Sequence, residues 1–367
     1  MSYDAIDPKK LQVFPLAERK NDLSIRTIAA DPAAPPPPLP PGPIAAQIEQ
    51  LAQKIRAARE RGAAVMLTYG AHLIKNGAGP LLVRLLEKGW LTHLATQGAG
   101  IIHDWEFSFL GQSSESVREN ACLGRFGAWD ETGRSLSLAA LVGAAEGLGW
   151  GEAVGKMIVE DGLTIPPTAT LAQQIAAAPA DPLTAARADL LHAISTFAIP
   201  AGRMVIPHPH KKYSPLAAGI THRVPFTVHP GIGYDIIINH PLFSGGAIGR
   251  AATTDARVFT HSVNNLTGGV YLSLGSAIMS PQVFEKALSS ANNLRRSAHQ
   301  PFIENHTIAV VDLQSGGNWD WSKGEPPKSS PAYYLRYCKS FYRMGGTLDY
   351  IQGDNRLVLA YLVRLLA

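Results

Sequence analysis

A chain of 367 residues with 46% hydrophobic residues can bury a large core, and a charged fraction of 17% argues against wholesale disorder. The net charge of +4 is spread along the chain, with only short basic spots such as His210-Lys211-Lys212 and Arg295-Arg296, so a nucleic-acid-binding stripe is not expected. Two cysteines, Cys122 and Cys338, give neither a disulfide framework nor metal-ligand spacing, and no apolar run reaches membrane-spanning length.

The N-terminal segment ends in Ala33-Ala34-Pro35-Pro36-Pro37-Pro38-Leu39-Pro40-Pro41-Gly42-Pro43, a polyproline II connector by composition. Residues 1–45 are therefore read as a proline-rich arm, either docked on a neighbouring subunit or disordered, and 46–367 as one domain. The start, Met1-Ser2-Tyr3-Asp4, lacks the charged and apolar regions of a secretory signal, and a reducing cytoplasm is the expected compartment. From Ile44 to Arg59, Ile48, Leu51 and Ile55 recur at helical spacing.

Ala64 to Tyr69 is a short apolar strand that stops at Gly70. Pro80 then opens a helix whose apolar face is Leu81, Leu82, Leu85 and Leu86. Leu91 to Thr96 is a second strand, ending at Gly98-Ala99-Gly100, and this strand–helix–strand spacing predicts a right-handed parallel crossover. Val224 to Val228 leads into His229-Pro230-Gly231-Ile232-Gly233-Tyr234-Asp235, and Gly269 to Leu274 ends at Gly275-Ser276-Ala277. Ser280 is the expected N-cap of a helix through Phe284, Ala287 and Leu288. Thr307 to Leu313 is a further strand, and Asn355 opens a terminal amphipathic helix. The predicted class is α/β, a doubly wound, mostly parallel sheet with helices on both faces and ligands at the strands' carboxyl ends.

Three glycine-containing turns after strands, Gly70-Ala71-His72, Gly98-Ala99-Gly100 and Gly275-Ser276-Ala277, are suited to bringing a dinucleotide's pyrophosphate close to backbone N–H groups, although none is a GxGxxG. Lys339 lies among aromatics in Pro331 to Tyr342, a setting that imine chemistry can use. His103, Asp104, His229 and Asp235 fall at or after strand ends. His208-Pro209-His210 has no third ligand at useful spacing and reads as a loop, so no metal is expected.

These stretches resemble the deoxyhypusine synthase family, in its bacterial branch. Tyr69 to Gly77 is similar to the family's first cofactor loop and Thr96 to Asp104 to its second, Arg118-Glu119-Asn120 matches a short further segment, and Pro225 to Asp235 ends in a substrate-binding aspartate. Leu274 to Ala277 stands where the family has a glycine triplet, Pro331 to Lys339 is similar to the segment carrying the catalytic lysine, and Gly353-Asp354-Asn355 to the final cofactor loop. The resemblance, over roughly residues 46–367, implies an NAD site at Ala71, His72, Leu73, Ile74, Lys75, Gln97, Gly98, Ala99, His103, Ser276, Ser315, Gly316, Asp354 and Asn355. It implies substrate contacts at His103, Asp235, Glu325, Tyr333 and Tyr337, and an imine on Lys339.

The family departs from this chain in the pocket. Two adjacent glutamates of the family become Ile102 and His103, a histidine becomes Pro281, and a glutamate and a tryptophan become Tyr333 and Tyr337, while Asp235 and Asp320 remain. Fewer carboxylates imply a shorter or less charged amine than spermidine. The expected function is NAD-dependent transfer of an aminobutyl group through Lys339 to a small amine, as in homospermidine formation, in a homotetramer with active sites between subunits. The alternative is an NAD-binding oxidoreductase or sensor without transfer.

Overall fold

The computed structural model describes residues 3–367; Met1 and Ser2, at the start of the arm, lie outside them. Six strands make the central sheet: β1 (Val65–Tyr69), β2 (His93–Thr96), β3 (Phe226–Val228), β4 (Val270–Leu274), β5 (Thr307–Asp312) and β6 (Thr347–Gln352). Every neighbouring pair is parallel, and the spatial order is β3-β2-β1-β4-β5-β6. This is the order of a doubly wound dinucleotide-binding sheet, which reverses direction between β1 and β4. β1 is buried at all five positions because it is central and covered on both faces, with Leu67 opposite Leu94 on one side and Leu272 on the other.

Alternate β1 residues face opposite layers. Val65, Leu67 and Tyr69 pack with α1 (Ile44–Glu60), α3 (Gly79–Glu87) and the C-terminal α10 (Asn355–Leu365); Met66 packs with α7 (Gly245–Val263), α8 (Met279–Ser297) and α9 (Arg336–Tyr342). Between β1 and α3 lies the short α2 (Ala71–Lys75), and α4 (Gly98–Leu110) follows β2. Residues 112–223 extend the molecule beyond the β3 edge through α5 (Asp130–Glu146), α6 (Trp150–Val159), helices Thr168–Ala177 and Thr184–Phe197, and an antiparallel pair, Gly162–Ile165 with Gly202–Val205.

Two details depart from the sequence reading. Ser280 is not the N-cap of α8, which begins one residue earlier; its N–H donates to Ser276 Oγ at 3.3 Å, and its hydroxyl lies 2.9 Å from the buried Tyr271 Oη. β6 was not anticipated, because Thr347-Leu348-Asp349-Tyr350-Ile351-Gln352 forms a half-exposed edge whose pairing to β5 supplies what its composition does not. The N-terminal segment lies on its own chain. Phe14 bridges to Trp129, Leu23-Ser24 pairs with Gln112-Ser113, and Tyr361 Oη donates to Pro37 O at 3.0 Å.

Candidate functional site

At the carboxyl ends of the strands the loops after β1 and β4 touch at the reversal point. A Cβ placed on Gly70 would sit 2.1 Å from the Gly275 carbonyl oxygen, so only glycine permits this approach. Asn355, the first residue of α10, reaches the same place: its Nδ2 would stand 2.4 Å from a Cβ on Gly275, and its Oδ1 is buried without a partner among the described residues. Asp354 caps α10 by accepting from the Leu357 N–H at 2.8 Å. Glycines in contact, an orphaned amide oxygen and the start of α10 at the reversal are features that fit a dinucleotide.

Beside this crevice, on the β2–β3 side, lies a cavity of about 280 Å³. Its walls include Lys75, Ala99, Ile102, His103, Asp235 and Trp129. Four residues predicted from three separate stretches of the sequence therefore meet here: Lys75, Ala99, His103 and Asp235. Asp235 sits over the start of α4, where a Cβ on Gly98 would be 2.2 Å from Asp235 Oδ2, and it accepts from the Gly231 N–H at 2.8 Å. Burial holds its carboxyl above the usual range, opposed by that hydrogen bond. Among the other predicted residues, His72 is exposed and Gln97 half-buried beside the crevice, while Ala71, Leu73 and Ile74 put their side chains into the core, leaving only backbone to meet a ligand. Ser276 is buried and Ser315 exposed, and Gly316 packs against Leu335 and Tyr350.

Lys339 is not in this cavity. It projects from α9 next to β6, with Nζ 3.9 Å from the centre of the Tyr333 ring and 3.8 Å from Glu325 Oε2. Both are partners of an ammonium ion. Glu325 is shared with Arg343, at 2.6 and 3.0 Å, and the salt bridges hold its carboxyl below the usual range. Tyr337 Oη lies 3.5 Å from Tyr350 Oη, and burial raises both phenols. So Lys339, Glu325, Tyr333 and Tyr337 form a second group. None of these four residues lines the Asp235 cavity, and Tyr337 reaches β6, four strands from β2 in the sheet order.

The sequence reading missed several groups in the cavity wall. Arg19, from the N-terminal segment, forms a buried bidentate pair with Glu106 at 2.7 and 2.8 Å, and Glu115 accepts from Asn120, Gly127 and the Trp129 indole. Glu106 was open to detection: an acid three residues from His103 on a helix otherwise rich in Ile, Trp and Phe must be buried and paired. Arg19 carried no such signal, since its partner lies 87 residues away. His229 is buried and lies 3.0 Å from Thr227 Oγ1, in a chain that continues through His93 to Ser262; burial pushes its pKa down to about 4. Among the described residues no group of three or more His, Cys, Asp and Glu is placed to hold a metal, and no helix is long and apolar enough to cross a membrane.

No family model matches the sequence, and no curated protein does. Among solved structures, the chain is similar to unliganded AgrE, with a TM-score of 0.43 and 15% identity over 88% of this chain and 32% of that one. It is similar to ArgZ, an arginine dihydrolase from the ornithine–ammonia cycle of cyanobacteria, with a TM-score of 0.45 and 14% identity over 89% of this chain and 32% of ArgZ. A conserved LOR/SDH protein from Methanococcus maripaludis S2 gives a TM-score of 0.44 and 12% identity over 89% and 73% of the two chains. The chain thus spans about a third of the length of AgrE and of ArgZ, and at these identities no residue role passes from them to it. What the fold and the strand-end site define is a class: a doubly wound parallel α/β protein with a ligand crevice at its switch point.

Proposed function

We propose that this chain is a deoxyhypusine synthase-like, NAD-dependent enzyme that acts on a small amine and transfers its alkylamine part through an imine on Lys339 to a small amine acceptor. The observation that carries the reading is the meeting of the β1, β4 and β6 loops around the sheet's reversal, with the Asp235 cavity beside them. NAD, when bound, supplies the hydride acceptor for an amine-bearing carbon. Gly70 and Gly275 let the β1 and β4 loops and Asn355 close on one another at the reversal, and Asn355 Oδ1 offers the cofactor an unused acceptor there. Asp235 would hold the ammonium end of the substrate, while Ile102, Ile236, Ile237 and Trp129 keep water from the reacting carbon.

Lys339 would come to that cavity from a second copy of the chain, in an assembly with active sites between subunits. A cytoplasmic homotetramer is the assembly and setting this reading carries. The second reading, an NAD-binding oxidoreductase or sensor without transfer, is favoured by the ion pair of Lys339 with Glu325 and by its distance from Asp235.

The test is chemical trapping. The protein is incubated with NAD and a panel of mono-, di- and polyamines, then reduced with borohydride and mapped by mass spectrometry. An alkylamine adduct on Lys339 is expected, with none in Lys339→Ala. NADH formation without any adduct would favour the second reading, and calorimetry showing no NAD binding would remove both. Asn355→Ala should weaken NAD binding roughly tenfold, the worth of one buried hydrogen bond of about 1.4 kcal/mol.

A further inference from the structure

Helix α4 and the strand-like segment after it carry a polar chain that the proposed reaction does not use. His103 Nδ1 is 2.7 Å from Ser113 Oγ, and Ser113 Oγ is 2.5 Å from Glu106 Oε2. Glu106 also accepts from Thr132 Oγ1 at 2.8 Å and from both terminal nitrogens of Arg19. Burial pushes the Glu106 carboxyl up, but the bonds and charge of Arg19 outweigh it and hold the group below its usual range. An ionised carboxylate can only accept, so the hydroxyl hydrogen of Ser113 points to Glu106. Ser113 then offers His103 a lone pair, and Nδ1 must carry the hydrogen.

Burial also pushes His103 down to about 4, opposed by Glu106 and reinforced by Lys75, Arg19 and His72. The ring is therefore neutral near pH 7, with the lone pair on Nε2. That atom has no partner among the described residues, and His103 lines the cavity. Glu115, on the same wall, has its oxygens engaged by Asn120, Gly127 and Trp129. The His103 ring nitrogen and the Asp235 carboxylate keep acceptor capacity to spare on a wall that also carries the Ser114 and Tyr234 hydroxyls and the Lys75 amino group.

We propose that His103 Nε2 is a hydrogen-bond acceptor of fixed polarity, set by Glu106 through Ser113, which together with Asp235 selects the N–H end of an amine entering the cavity. The inference rests on the reading that the substrate amine enters this cavity. His103 is here a binding residue, and Ser113, Glu106 and Arg19 are positioning residues.

The experiment uses the full chain with NAD, labelled with ¹⁵N-histidine, and n-butylamine as the probe. Long-range ¹⁵N–¹H spectra, with the His103 signal assigned by its loss in His103→Gln, are expected to show an Nδ1–H, Nε2-lone-pair ring at pH 7. Ser113→Ala should release that tautomer and weaken n-butylamine binding about tenfold, and Ser113→Thr should restore both. A ring bearing hydrogen on Nε2, with n-butylamine still bound, overturns this inference alone. The expected tautomer with butylamine affinity equal in wild type and Ser113→Ala overturns the selection role. The expected tautomer with no amine bound at all overturns the amine reading, and the role of His103 in selecting an amine falls with it.

Discussion

Arg19 and Glu106 are each almost fully enclosed, at 3% and 2% side-chain exposure, and neither could be left alone at small cost. Removing one member of a buried ion pair strands the other charge, typically at about 3–5 kcal/mol. Arg19→Ala should therefore lower stability by about that amount at pH 7, read from urea denaturation. The sign of the pH dependence follows from Glu106. Its folded pKa lies below the unfolded value, so its contribution is full above the ordinary carboxylate range and is lost as pH falls through the folded value. The deficit of Arg19→Ala should accordingly shrink on acidification, because the stranded carboxyl can then take a proton. A deficit independent of pH would mean that Arg19 acts through packing on Trp129, whose ring lies 5.8 Å away, and not through charge.

Among elements, α6 and β3 are tied by one carboxylate. Asp255, on α7, accepts from the backbone N–H groups of Trp150 and Gly151 at the start of α6 and of Val228 at the end of β3. Burial nonetheless pushes its carboxyl up to about 7, and Asp104, buried on α4, is pushed to about 7 by the same cause. Between about 4 and 7 the folded chain holds protons that the unfolded chain has released, so these two groups make stability fall as pH rises through that window. Asp255→Asn should flatten the slope in denaturation curves taken from pH 4.5 to 7.5, leaving the share due to Asp104. At the β1–β4 junction, Gly70→Ala forces a methyl to within 2.1 Å of the Gly275 carbonyl unless the backbone moves. A lower thermal midpoint and weaker NAD binding are expected together, since the same contact shapes the crevice. Loss of NAD binding with an unchanged midpoint would mean that the loops part without strain.

For the whole molecule, the separation of Lys339 from the cavity makes a subunit-sharing test decisive. If the site joins Lys339 of one copy to Asp235 of another, Lys339→Ala and Asp235→Asn chains are each inactive but complement when mixed. Random assembly at equal amounts would restore about a quarter of wild-type activity, since each site needs both intact halves. Light scattering on the same mixture gives the oligomeric state. Complete absence of complementation in a verified mixed oligomer would confine the chemistry to one chain and exclude a site shared between subunits.

The strands β1 to β5 were legible because each is a short apolar run closed by a glycine turn, and the helix starts were legible from Pro80 and Asn355. Local sequence thus determined the element types and set His103 and Asp235 after β2 and β3 and Asn355 at the start of the last helix. β6 was not legible, since a half-exposed edge is recognised by its partner and not by its own composition. Nor could the sequence rank the strand-end residues by distance. Only the tertiary order β3-β2-β1-β4-β5-β6 decided that Lys75, Ala99, His103 and Asp235 share a cavity while Lys339 stands across the sheet. The same holds for Arg19, whose role depends on a contact 87 residues distant. Periodicity and turn chemistry act over a few residues, whereas pairing order and buried charge compensation are set by what packing brings together.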